Sequence, residues 1–146
     1  MEKAKLIGIN HIALEVGDVD KALEFYSNIF TFTLRSKDKD HAFIDLGDQF
    51  IALMKSLTPH KDKKRHFGLV VDDRSKVKEL VKKAGAELIG DKFFDFLDPW
   101  GNYIQVVEYS NIQFTKAPEV LAGMNLNVHK NEAALQELRA KRMCPK

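Results

Sequence analysis

His11-Ile12-Ala13-Leu14-Glu15-Val16-Gly17-Asp18-Val19-Asp20-Lys21 returns later in the chain as His66-Phe67-Gly68-Leu69-Val70-Val71-Asp72-Asp73-Arg74-Ser75-Lys76. The offset is 66 − 11 = 55 residues, and identity holds at His11/His66, Leu14/Leu69, Val16/Val71, Asp18/Asp73, Lys21/Lys76 and Glu24/Glu79. Self-similarity at a fixed offset marks a structural repeat. Each copy opens with period-two alternation: Ile12, Leu14 and Val16 share one face, His11, Ala13 and Glu15 the other, as in a half-buried strand. Phe67, Leu69 and Val71 repeat the pattern against His66, Gly68 and Val70. Asp18 and Asp73 then stand where a carboxylate can accept the first free N–H groups of a helix. Apolar residues at helical spacing follow: Val19, Ala22, Leu23, Tyr26 and Phe30 in one copy, Val77, Leu80, Val81 and Ala84 in the other, where Gly85 suits a left-handed helix exit.

Strand-like runs come next, at 31–36, 41–46 and 50–55 and again at 86–90, 93–97 and 102–109, with Asp98-Pro99-Trp100-Gly101 as a turn between the last two. Each copy therefore reads as strand, helix and three strands, an α+β pattern. Modules of about 6–55 and 66–109 make one domain over residues 1–110. Ser56 to Arg65, carrying Pro59 and a charge run, reads as a solvated linker. Residues 111–146 form a C-terminal extension in which Ala117–Met124 and Asn131–Arg142 are expected to be helical.

The 146 residues suit one domain, and 45% hydrophobic with 30% charged residues is a globular balance. A net charge of +2 is no nucleic-acid footprint, and no apolar run reaches the roughly 18 residues of a membrane span. A soluble, cytoplasmic protein is expected, with no nucleic-acid or membrane partner. One cysteine, Cys144, builds neither a disulfide framework nor a thiolate cluster, so a metal would need imidazole, carboxylate or amide oxygen. His11 and His66, at equivalent strand positions opposite the apolar face, converge if the copies pair symmetrically. Imidazole is a common ligand for Zn, Fe and Ni.

Asn10-His11-Ile12-Ala13-Leu14-Glu15-Val16, Phe25-Tyr26, His66-Phe67-Gly68-Leu69-Val70-Val71 and Asp98-Pro99-Trp100-Gly101-Asn102-Tyr103-Ile104-Gln105-Val106, in this order, resemble the glyoxalase, bleomycin-resistance and extradiol-dioxygenase superfamily, the vicinal oxygen chelate proteins. The resemblance spans residues 6–109. It implies two βαβββ modules whose mixed sheet curves into a cup, with a divalent metal (Zn, Ni, Mn or Fe) held from the first and last strand of each module. Carried over by position, the ligands are His11, His66 and Gln105, the last standing where the family has glutamate, and Ala52 stands at the fourth position. An amide in place of a carboxylate removes a negative charge, and Asp95 is the candidate to restore it or to act as catalytic base. Alternation gives Phe50, Met54, Tyr103 and Val107 cup-facing parity as pocket residues; Glu15 shares it, Glu108 does not. The implied function is metal-dependent lyase- or isomerase-type chemistry on vicinal oxygens of a small molecule, in a homodimer. The alternative is a metal-free protein that binds or sequesters a drug-like ligand, which Ala52 and Gln105 favour.

Overall fold

The computed structural model describes residues 9, 11–62, 64–90 and 94–143. Expectations touching residues 6–8, Asn10, Phe93 and Cys144 lie outside the described residues. The first module comprises β1 (His11–Val16), α1 (Val19–Ser27), β2 (Thr33–Lys37), β3 (His41–Asp45) and β4 (Phe50–Lys55). The second comprises β5 (Phe67–Val71), α2 (Val77–Lys83), β6 (Glu87–Ile89), β7 (Asp95–Leu97) and β8 (Tyr103–Glu108). Helices α3 (Pro118–Gly123) and α4 (Glu132–Ala140) follow in the extension.

The repeat holds in topology. Each module makes a four-stranded sheet, ordered β1-β4-β3-β2 in one and β5-β8-β7-β6 in the other, with first and last strands parallel and the remaining pairs antiparallel. Asp18 caps α1, accepting the Lys21 N–H at 2.9 Å. Asp73 accepts from the Ser75 N–H at 2.9 Å, but the chain first makes a 3₁₀ turn at Arg74–Lys76 before α2, so the second helix is the shorter one.

Both sheets bury their apolar faces in one core. Leu14, Val16, Ile51 and Leu53 come from the first sheet and Phe96, Ile104 and Val106 from the second, and α1 and α2 contribute Val19, Ala22, Phe25, Tyr26, Val77 and Val81. The faces carrying the histidines are consequently turned away from this shared core.

The Asp98-Pro99-Trp100-Gly101 turn fastens one module to the other. The buried Asp98 carboxylate accepts the Tyr26 hydroxyl of α1 and the Asn102 side-chain amide, each at 2.7 Å, and the N–H groups of Trp100 and Asn102, each at 2.9 Å. Asn102 also donates to the Glu15 carbonyl of β1 at 2.9 Å. Trp100 packs edge-on to Phe25 and lies so close to Gly17 that a Cβ there would stand 2.9 Å from the indole nitrogen, so the tryptophan covers the sheet end. The linker is mostly exposed yet pinned here, because the Asp62 N–H donates to the Gly101 carbonyl at 2.8 Å.

Burial and the neighbouring Asp98 carboxylate raise the Tyr26 pKa well above its ordinary value. The unfolded chain releases this proton near pH ~10 while the folded one keeps it, so the tyrosine's contribution is complete below that pH and is lost as pH rises toward the folded value. Urea midpoints of the native protein should therefore fall more steeply above pH ~10 than those of Tyr26→Phe; parallel curves would remove the phenol from the alkaline transition.

Candidate metal and ligand site

Register carries the repeat down to individual side chains. On the first sheet His11 lies opposite Phe50, Ala13 opposite Ala52 and Glu15 opposite Met54. On the second, Gly68 lies opposite Gln105 and Val70 opposite Val107, and His66, one residue before β5, comes beside Tyr103. Each histidine thus has an aromatic neighbour at the start of the module's last strand. The His11 and Phe50 rings stack at 4.6 Å, and the His66 and Tyr103 centroids are 5.2 Å apart.

His66 is prepared as a donor. Its Nδ1 lies 2.9 Å from the Lys64 carbonyl oxygen, which can only accept, so Nδ1 carries the proton and Nε2 presents the lone pair. On β7 the Asp95 side chain is 5% exposed. Its Oδ2 accepts the Tyr103 hydroxyl at 2.9 Å, whereas Oδ1 is buried and finds no hydrogen-bond partner among the described residues. The bond to Asp95 raises the Tyr103 pKa and keeps the phenol protonated. Glu108, of opposite parity, is occupied structurally: it accepts the Arg74 N–H at 3.1 Å and the Ser110 hydroxyl at 2.7 Å.

The first sheet has no such donor set. It carries a ladder of rings, with Phe50 against Phe43 at 5.0 Å and Phe43 against His41 at 4.8 Å. The Arg35 guanidinium lies 4.7 Å above Phe50 and pairs with Asp45 at 2.8 Å. Ala52 stands where the family pattern puts a ligand, and a methyl group donates nothing.

A cavity of about 420 Å³ opens between the edge strands β1 and β5 beneath the C-terminal extension. His11, His66 and Phe50 line it, together with Leu69, Phe114, Leu121 and Lys116; Gln105, Asp95, Tyr103, Val107 and Met54 do not. Among the described residues no three imidazoles, thiols or carboxylates gather closely enough to hold an ion within one chain.

The sequence reading missed the ring ladder and Arg35, the part played by the extension, and the bond joining Asp95 to Tyr103. Lys116 is buried and pairs with Asp48, which holds the extension to the first module. A glycine lies under the docked extension. Gly47 has a φ of +86°, and a Cβ there would meet the Met124 sulfur at 2.7 Å.

A family model described as Glyoxalase/Bleomycin resistance protein/Dioxygenase superfamily matches residues 8–106. A lactoylglutathione lyase of Neisseria meningitidis serogroup A is 31% identical over 93 residues, 54% of this chain and 67% of that protein. Glutathione transferase FosA of Serratia marcescens is 24% identical over 114 residues, 69% of this chain and 80% of that protein. The crystal structure of fosfomycin resistance protein FosX from Listeria monocytogenes, complexed with Mn(II) and sulfate, superposes with a TM-score of 0.62 at 18% identity. It covers 82% of this chain and 99% of its own and shows a shared fold. Among the described residues no helix is long and apolar enough to cross a membrane.

Proposed function

The chain belongs to the glyoxalase/bleomycin resistance protein/dioxygenase superfamily, and on that premise we propose that it is a metal-dependent lyase- or isomerase-type enzyme acting on vicinal oxygens of a small molecule. The observation that carries the reading is His66, held by the Lys64 carbonyl with Nε2 presented as a donor. The donor types are those a divalent ion takes: His11 and His66 carry imidazole and Gln105 an amide oxygen, although within one chain the described residues do not gather three of them. A bound Zn, Ni, Mn or Fe ion would supply Lewis acidity toward the vicinal oxygens.

The chain's own residues do the rest. Lys64 fixes the tautomer and orientation of His66, and Asp95 holds the Tyr103 phenol in its protonated form on the second sheet. Phe50 supplies an aromatic wall to the cavity, backed by Phe43 on the first sheet.

A homodimer belongs to the proposal. Within one chain the histidine-bearing faces turn away from a shared core and no three-donor cluster forms among the described residues, so a facing partner sheet from a second copy would complete each cup. Equilibrium dialysis with Mn(II), Ni(II) or Zn(II) should give about one ion per cup, and His11→Ala or His66→Ala should each weaken binding at least ~tenfold. Mixing the two variants under subunit exchange should restore about a quarter of the sites, since roughly half the dimers are mixed and each holds one intact cup. No restoration would place each cup within one chain, and native stoichiometry in both single variants would sink the metal reading.

The second reading is a metal-free binding protein, favoured by Ala52 and by the mainly apolar wall of the cavity. It requires ligand binding that does not change when divalent ions are removed by a chelator.

A further inference from the structure

We propose that the cavity beneath the C-terminal extension binds a neutral, largely apolar small molecule, and that the extension helps to select it; such an occupant needs no metal and is independent of the reaction proposed above. At about 420 Å³ the cavity lies in the range of small-molecule sites, roughly 300–1,000 Å³. A space of this size walled by apolar side chains forfeits the contacts that a packed core would make. β1 and β5 contribute Ile12 and Leu69 to it, and the extension contributes Leu121, Met124, Leu126 and Val128. The extension falls outside residues 8–106 that match the family model. Helix α3 shows what lies beneath it. A docked helix ordinarily buries an apolar stripe, yet no residue of α3 is buried, and Val120, Leu121 and Met124 are only half-buried. Leu121 and Met124 stand over the cavity instead of over packed core, and an apolar occupant would complete their burial.

The charges at the wall make the occupant neutral. Among the described residues that line the cavity, Lys116 is paired with Asp48, and Asp72 is paired with Lys76 at 3.0 Å. Lys116 is 9% exposed, and its hydrogen bond holds the Asp48 carboxyl below its ordinary value, so the two meet as an ion pair near neutral pH. The side-chain amide of Gln49 is also engaged, donating to the Ile9 carbonyl at 2.8 Å. His11 and His66 add imidazoles, which hydrogen-bond without a fixed charge. An anion entering this space would shed its hydration and find Lys116 already neutralised, whereas an apolar molecule loses nothing on entry. Asp48 is the side chain that sets this preference, since it cancels the buried cation from the solvent side, where about half of its own surface stays exposed.

The test uses the full chain, a chelator to remove divalent ions, and two fluorescent probes of nearly the same shape: neutral phenylnaphthylamine and its anionic relative anilinonaphthalene sulfonate. The native protein should bind the neutral probe saturably, with a rise in thermal midpoint, and the sulfonate at least ~tenfold more weakly. Leu121→Trp, which fills the cavity from a half-buried position, should weaken the neutral probe at least ~tenfold with the circular dichroism of the modules unchanged. Asp48→Asn uncovers the Lys116 charge without changing shape, and should tighten the sulfonate at least ~tenfold while leaving the neutral probe within about twofold. Failure of the native protein to bind the neutral probe, equal or tighter binding of the sulfonate, or a neutral-probe affinity that Leu121→Trp leaves unchanged would each overturn the inference. Should Leu121→Trp fail to fold, Asp48→Asn decides, and an unchanged sulfonate affinity there rejects this cavity as the site. Because the chelator is present throughout, any of these failures leaves the metal reading standing, and a protein that binds no divalent ion leaves this one standing.

Discussion

Asp98→Ala should lower the unfolding free energy by about 4 kcal/mol, a large share of the ~5–15 kcal/mol that holds a domain of this size together. The carboxylate is buried and accepts four hydrogen bonds, two from side chains and two from the backbone of its own turn. Burial raises the Asp98 pKa while those donors lower it, so the anion is tolerated only because every one of them is in place. Alanine removes the acceptor and leaves the Tyr26 hydroxyl, the Asn102 amide and two N–H groups to be satisfied in a site with little room for water. Asp98→Asn keeps the shape but forces an N–H against these donors, and should cost roughly 2 kcal/mol. Urea unfolding followed by circular dichroism measures both. A loss below ~1 kcal/mol for alanine would show that the turn does not join the modules.

Gly101→Ala should cost about 3 kcal/mol, against about 1 kcal/mol for Gly85→Ala, although both glycines have left-handed backbone. At Gly85, with a φ of +77°, a Cβ meets nothing within 4 Å, so only the conformational penalty applies. At Gly101, with a φ of +88°, a Cβ would lie 2.5 Å from the Lys61 Cα, and this contact is with backbone that cannot rotate aside. Alanine must push the linker off the turn and break the bond from the Asp62 N–H to the Gly101 carbonyl. Equal costs in the two variants, compared by thermal and urea midpoints, would mean that the linker yields freely.

How much of this was legible before any coordinates follows from the range of each interaction. The two strand–helix–three-strand modules, the helix cap at Asp18 and the left-handed exit at Gly85 rest on local pattern, and the structure has them. The boundary of α2 moved because Asp73 starts a 3₁₀ turn, a choice between helix types that side-chain periodicity does not distinguish. The candidate site was legible as a row of residues and illegible as a volume. Alternation gives Tyr103 and Asp95 the same face, but the hydrogen bond between them depends on the strand register. The cavity wall supplied by Phe114, Leu121 and Lys116 depends on a segment with no counterpart in the repeat.

The unequal furnishing of the two sheets bears on how such a protein can diversify. Duplicated modules begin as equals, yet here one face carries a prepared imidazole, an amide and a buried carboxylate, while its counterpart has two alanines opposite each other beside a ladder of rings. Under the proposed function, the first half of the gene keeps one candidate donor, His11, beside its rings, and the second half holds His66, Gln105 and Asp95. If the proposed function holds, substitutions at Phe50 can reshape the cavity wall without touching His66, Tyr103 or Asp95, so descendants of this chain can alter one half while inheriting the other intact.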